Sequence, residues 1–295
     1  MTAVVETVAS MPAVLTEQRT KAPIGRLLRA ELRFMIRRPR TLIALGVLAL
    51  TPIIAAVAMS VASSSDVGGP GGAAIQGVAA LVTQNGMILP IFVLMLALAM
   101  LLPMLGSMWS ADALAGEAST GGLRSLLLAP VGRARLLAVK AFGVAVLSLL
   151  AVTILAVVGV VAGLLILGGD GMLTMSGNTL PFWPSLGRVA LLTVMVAVQV
   201  WAVAAVALAI SACTEHPLVV LASTLGGIIV FTILGNIASL DWLHPFLLTT
   251  AWESLGDVAR DPMPTDGLGT AVLRAACYIV IGYSLALARM STKDG

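Results

Sequence analysis

The sequence predicts an all-α, polytopic membrane protein with six transmembrane helices, both termini cytoplasmic and an N-terminal amphipathic interface helix. Three observations carry that expectation. The chain of 295 residues is 59% hydrophobic and only 11% charged, with a mean hydropathy of +1.05, whereas about a quarter of a soluble domain's residues carry charge. Its uncharged stretches repeatedly reach the ~20 residues that cross ~30 Å of hydrocarbon as a helix. Its lysines and arginines gather on alternate connections, which sets orientation. The runs are continuously apolar rather than alternating residue by residue, so helices are favoured over a barrel.

Residues 1–22 are expected to form a flexible cytoplasmic tail. Met1 to Thr20 holds Glu6, Pro12 and Glu17 and lacks the basic start, apolar core and cleavage site of a signal peptide. Residues 23–40 form the amphipathic interface helix, reading IGRLLRAELRFMIRRPR from Ile24 to Arg40. At ~100° per residue, Arg26, Arg29, Arg33, Arg37 and Arg40 fall within an arc of about 80°. Ile24, Leu27, Leu28, Leu32 and Met35 lie opposite. Such a helix rests in the cytoplasmic interface, leucines in the acyl boundary and arginines toward headgroup phosphates or a partner. It serves either as an electrostatic anchor alone or also as a contact for a cytoplasmic subunit. Pro39 then bends the chain into the first span.

The membrane domain covers 41–288, with spans at about 41–62, 87–110, 141–167, 189–212, 217–239 and 268–288. Gaps between charges mark them. The gap from Asp66 to Asp112 is too long for one span, but it opens with Val67, Gly68, Gly69, Pro70, Gly71 and Gly72, which is loop chemistry. Within the spans Pro52, Pro90 and Pro103 can kink helices, while Thr83, Gln84, Asn85, Gln199, Thr232 and Asn236 are scarce polar groups suited to bonding neighbouring helices. Arg274, near the start of the last span, is expected to snorkel to the interface. The tail is 289–295.

Orientation follows from the basic residues. The N-terminal segment, the 111–140 loop and the C-terminal tail together hold fourteen of the seventeen lysines and arginines. The other side has Arg260, with Arg188 and Arg274 near span ends, and an acidic loop at 240–267. Both termini are thereby expected in the cytoplasm. The net charge of +3 comes from this bias and is no sign of nucleic-acid binding.

The loop 111–140 is the most informative segment. Gly121 and Gly122 interrupt the helix leaving the second span, Leu123 to Leu128 can form a short apolar helix, and Pro130 ends it before Arg133 and Arg135 lead into the third span. Held between two breakers, it is shaped to be gripped, with Leu123, Leu126 and Leu127 as anchors and Arg124 and Arg133 as charge partners. The alternative is a helical hairpin lying on the membrane. In the external loop 240–267, Trp242, His244, Phe246 and Trp252 suit an aromatic belt at headgroup level. With only two cysteines and two histidines in the chain, no disulfide scaffold and no metal site is expected, His244 included.

Glu117-x-x-x-Gly121-x-Leu123-Arg124-x-Leu126-Leu127, followed by Pro130-Val131-x-Arg133-x-x-Leu136-Leu137-x-x-Lys140, resembles the stretch between the second and third helices of type-2 ABC transporter permeases. Glu31-Leu32-Arg33 and Arg37-Arg38-Pro39-Arg40 resemble the entry helix of the same proteins. One position departs: Gly122 stands where many members have Thr. With six spans, the resemblance covers essentially the whole chain. It implies a transmembrane subunit of an exporter, probing the groove of a separate ATP-binding subunit with a coupling element built from Glu117, Gly121, Leu123, Arg124, Leu127, Pro130 and Arg133. It also implies that 240–267 forms two short helices that dip toward the membrane and cap the exit, with Trp242, His244, Phe246 and Trp252 as the external gate.

The chain has no Gly-x-x-x-x-Gly-Lys-Ser/Thr pattern, so it is expected to bind no cofactor, with ATP and Mg held by the partner. The remaining expectations are a homodimer, or a heterodimer with a related permease, in a bacterial plasma membrane, moving an amphipathic or hydrophobic substrate along a path between protomers. Two other classes compete. An ion-coupled secondary transporter would place ionisable groups near the midplane and show internal repeats, and neither is visible. An intramembrane enzyme would need a nucleophile and base or a metal set inside the bilayer, and His216 and His244 both fall outside the expected spans.

Overall fold

The computed structural model describes residues 24–64, 85–119, 132–169 and 171–292. Helix α1 (Ile24–Ile36) leads through a short turn into α2 (Pro39–Ser64). Pro39 opens α2 because its missing N–H falls where a helix has no partner for one. The second span is a broken helix: a 3-10 turn at Gly86–Ile88, α3 (Leu89–Ala99) and α4 (Leu101–Ala113), the two arms bent by 53°. Pro103 is the cause. Its ring removes one rung and crowds the carbonyl of Ala99, so the ladder opens at Met100, whose φ is −151°. A further turn of helix, α5 (Ala115–Ser119), carries the chain on.

Helix α6 (Arg133–Ala162) runs into a π-helical turn at Gly163–Leu167. The pair is 35 residues long, about 50 Å at ~1.5 Å per residue, well over the ~30 Å of hydrocarbon. The helix that holds the third span therefore begins eight residues before 141. Charges mark where the apolar solvent ends, and the helix continues past that level with Arg133, Arg135 and Lys140 in its first two turns. A small antiparallel hairpin follows, β1 (Gly171–Leu173) with β2 (Thr179–Pro181), pairing Met172 with Leu180. The sequence reading had no strand here. Then come α7 (Phe182–Cys213), α8 (Pro217–Gly235), a 3-10 stretch at Ala238–Phe246, α9 (Thr250–Glu253), a 3-10 helix at Ser254–Ala259, and α10 (Asp266–Thr292). Among the described residues, five helices, or six spans with the bent pair counted as one, are long and apolar enough to cross a membrane.

Helix α7 is the centre of the bundle. Of its most apolar window, 67% is buried, against 22% for α2 and α10 and 11% for α8. Small residues let its neighbours approach closely. Ser110 Oγ of α4 donates to Ala204 O at 3.0 Å, and Ala115 N donates to Ser211 Oγ at 2.9 Å. Trp201 Nε1 donates to Ala145 O of α6 at 2.9 Å, and Gln199 Nε2 to Ala271 O of α10 at 3.1 Å. In contrast, Leu42, Ile43 and Val47 of α2 and Leu218, Ile229 and Ile233 of α8 are exposed, as lipid-facing side chains would be.

The end of the bundle opposite α1 is closed by backbone and loop contacts. Gly86 N donates to Gly168 O at 2.9 Å, and a Cβ on either Gly86 or Gly163 would strike the other's carbonyl, so both must be glycine for the helices to meet. Asn85 Oδ1 accepts from Leu173 N at 2.9 Å and holds the hairpin there. Arg188 Nη2 lies 2.8 Å from Asp261 Oδ1, and Nη1 donates to the carbonyls of Val258 and Arg260.

Candidate coupling site at the arginine-rich end

Three elements converge on Lys140. Its Nζ donates to Glu31 Oε1 of α1 at 2.9 Å and also to Glu117 Oε1 of α5. The lysine side chain is 3% exposed and each carboxylate 13%. α1 reaches this position because Gly143, one turn along α6, leaves room: a Cβ there would sit 2.7 Å from Met35 Sδ and 3.3 Å from Glu31 Cγ. Met35 is accordingly buried. So the face of α1 carrying Glu31 and Met35 packs on α6, whereas the reading from sequence laid Met35 into the lipid boundary. The helix-period argument located that face correctly but could not say which surface it covers.

A second cluster joins α1's far end to the second span. Asp112 Oδ2 lies 3.4 Å from Arg38 Nη1, and Oδ1 lies 3.6 Å from Arg40 Nη1. Arg38 also stacks over the Phe34 ring at 4.4 Å. Arg26, Arg29, Arg33 and Arg37 are exposed. Arg40 thus leaves the arginine stripe for an acidic partner within the chain.

Arg133, at the start of α6, donates from Nη1 to Met290 O and Ser291 O, both at 3.0 Å. Those carbonyls belong to the last turn of α10, where no intrahelical donor remains and a cation is favoured. Arg133 is therefore engaged by the chain itself. Of the sequence-derived coupling residues, Glu117 and Arg133 are described, and Gly121, Leu123, Arg124, Leu127 and Pro130 lie outside the described residues, as do the tail 1–22 and residues 293–295.

At the opposite end the aromatic set divides. Trp242 and Phe246 are 70% and 66% exposed, whereas Trp252 is 7% exposed and packs in the core. His244 contributes its carbonyl: Arg274 Nη1 donates to His244 O at 3.1 Å, Leu247 O at 2.6 Å and Thr250 Oγ1 at 2.6 Å. Tyr278 OH donates to Phe246 O at 2.7 Å. Arg274 thus satisfies loop carbonyls where snorkelling to the interface was expected, because three acceptors lie within its reach. Beside it a groove of about 670 Å³ runs between α7 and α10, with Val206, Ile210, Leu273, Ile281 and Leu285 in its walls together with Arg274 and Tyr278.

Sequence reasoning expected Glu117 to cap or to pair with a nearby cation without identifying Lys140 as that cation, and it missed Glu31 in the same cluster, the Asp112 pairs and the Arg188–Asp261 pair. A usable signal existed for the Lys140 cluster and the Asp112 pairs. Asp112 and Glu117 are the acids immediately beyond the second span, and Lys140 stands alone at the start of an apolar run.

The family model for ABC-2 family transporter protein matches residues 26–259, from the arginine stripe of α1 to the end of the 3-10 helix before α10. No curated protein matches the chain. With the match running through five spans and both charge clusters, the chain belongs to the ABC-2 transporter family as a multi-pass membrane permease.

Proposed function

We propose that this permease is energised by a separate ATP-binding subunit, which holds ATP and Mg and docks on the segment between Glu117 and Arg133 at a cytoplasmic arginine-rich end. One observation carries the reading: the two ends of that segment are tied to different bodies. Glu117 shares Lys140 with Glu31 of α1, and Arg133 grips the last turn of α10. A push on the segment would reach α1, α6 and α10 together through short polar contacts that are part-buried at Lys140 and open to solvent in part at Arg133.

The permease exports its substrate across a bacterial plasma membrane as a homodimer or as a heterodimer with a related chain. The sparsely buried α8 leaves apolar surface for a second protomer, and six spans with few polar groups do not readily enclose a hydrated path alone. The groove beside Arg274 has a mainly apolar lining that also includes a guanidinium and a phenol, which supports a cargo with both polar and apolar parts. Trp242, His244, Phe246 and Trp252 stand at the exit end of this route.

The test is expression of Leu127→Asp and Arg124→Glu, with membrane levels checked and ATPase capture and transport measured. Placing a charge in a central apolar contact is expected to lower capture by roughly thirtyfold or more, because losing such an anchor commonly costs about 2 kcal/mol. Wild-type capture and transport in both variants would remove the coupling assignment.

A further inference from the structure

We infer that the arginine face of α1 is a binding site for the phosphate of an anionic phospholipid. A cleft of about 820 Å³ lies along this face, lined by Arg26, Arg29, Arg33, Phe34, Arg37 and Arg38, with Pro39 at its end. Arg26, Arg29, Arg33 and Arg37 have no carboxylate partner among the described residues, since the acids at this end serve others: Glu31 and Glu117 face Lys140, and Asp112 faces Arg38 and Arg40. Four guanidiniums along one open helix face repel one another unless an anion joins them, and their planar forks match phosphate oxygens.

The position of the cleft selects the anion's source. It ends at Pro39, where α2 starts, and Leu42 and Ile43, at 54% and 66% exposed, begin the outward apolar face of the span only one turn further on. A phospholipid with its acyl chains along Leu42, Ile43 and Val47 brings its phosphate to the level of Arg33 and Arg37. Phe34, half exposed beside Arg38, supplies an apolar surface for the glycerol region. An acidic protein face or free phosphate would use the guanidiniums but would leave this continuity of charged cleft and apolar flank without a role. The inference stands apart from the transport reading.

The experiment uses the purified full chain in detergent, titrated with phosphatidylglycerol, phosphatidylcholine or inorganic phosphate, with bound lipid counted by native mass spectrometry. Phosphatidylglycerol is expected to bind at least tenfold more tightly than phosphatidylcholine, and inorganic phosphate should not displace it at matched concentration. The double variant Arg29→Gln/Arg33→Gln should weaken phosphatidylglycerol binding by roughly tenfold. Both side chains are exposed, so its thermal unfolding should match wild type. Arg289→Gln, exposed at the same end but outside the cleft, should bind as wild type. Equal binding of the two lipids, displacement by phosphate, or an equal loss in Arg289→Gln would overturn the inference. So would a double variant that keeps its lipid but loses capture of an ATP-binding subunit, which would assign the face to a protein.

Discussion

Lys140 and Glu31, 109 residues apart in sequence, meet at 2.9 Å inside the protein, and the same ammonium holds Glu117. Two carboxylates share one ammonium, so the members of the cluster are not equivalent. Removing the cation takes that shared partner from both acids in a poorly solvated site, whereas neutralising one acid leaves an ordinary pair.

Lys140→Met is therefore expected to destabilise the protein by about 3–5 kcal/mol, and Glu31→Gln by much less. Thermal unfolding of the purified variants in detergent checks this. A Glu31→Gln protein as unstable as Lys140→Met would contradict the charge argument.

Arg133→Ala should free the carbonyls of Met290 and Ser291, at a cost of about 1–2 kcal/mol confined to the end of α10. Hydrogen exchange measured by mass spectrometry should speed up in the last turn of α10 while the middle of that helix keeps its protection. Arg133→Lys, with a single point charge in place of the fork, should recover part of the protection.

Arg274→Met is expected to loosen the connection between α8 and α10, because the carbonyls of His244 and Leu247 lose a charged donor together. Charged hydrogen bonds of this kind contribute about 1.5–3 kcal/mol each in favourable cases. Limited proteolysis near Trp242 to Leu248 should become faster than in wild type, and unchanged cleavage would show that the loop is held by other contacts.

Reporters fused at the N-terminus, near Ser119 and after Lys293 should all read as cytoplasmic, and those near Gly71 and Pro262 as external, from the fourteen basic residues on one side against three. An external reporter at Ser119 would reverse the orientation and with it the docking side proposed above.

Much of the architecture was legible because lipid imposes a length on apolar runs. The six expected spans correspond to α2, the α3–α4 pair, α6, α7, α8 and α10, and Pro103 was visible as a breaker. Helix ends were less legible: Arg133 to Lys140 reads as loop by charge, yet backbone hydrogen bonding continues through it. The hairpin at 171–181 escaped notice because its strands are three residues each, too short to show alternation. Which charges pair was illegible for another reason, although Asp112, Glu117 and Lys140 stood out by position. Nothing in local periodicity links Glu31 to Lys140 or Arg188 to Asp261, pairs created only when distant helices pack. Arg133 was expected to pair with acidic groups of a partner, and sequence could not show that the carbonyls that end α10 lie within its reach.

The central place of α7 bears on how the chain is made. Its neighbours α4 and α6 are synthesised before it, yet the acceptor at Ala204 and the hydroxyl at Ser211 that bind the second span arrive only with α7. Until α7 is present, the small and polar groups of the first three spans that pack on it lack their partner helix. A chain stopped before that point lacks the pillar of the bundle, while one stopped just after residue 213 already holds the helix on which α8 and α10 pack.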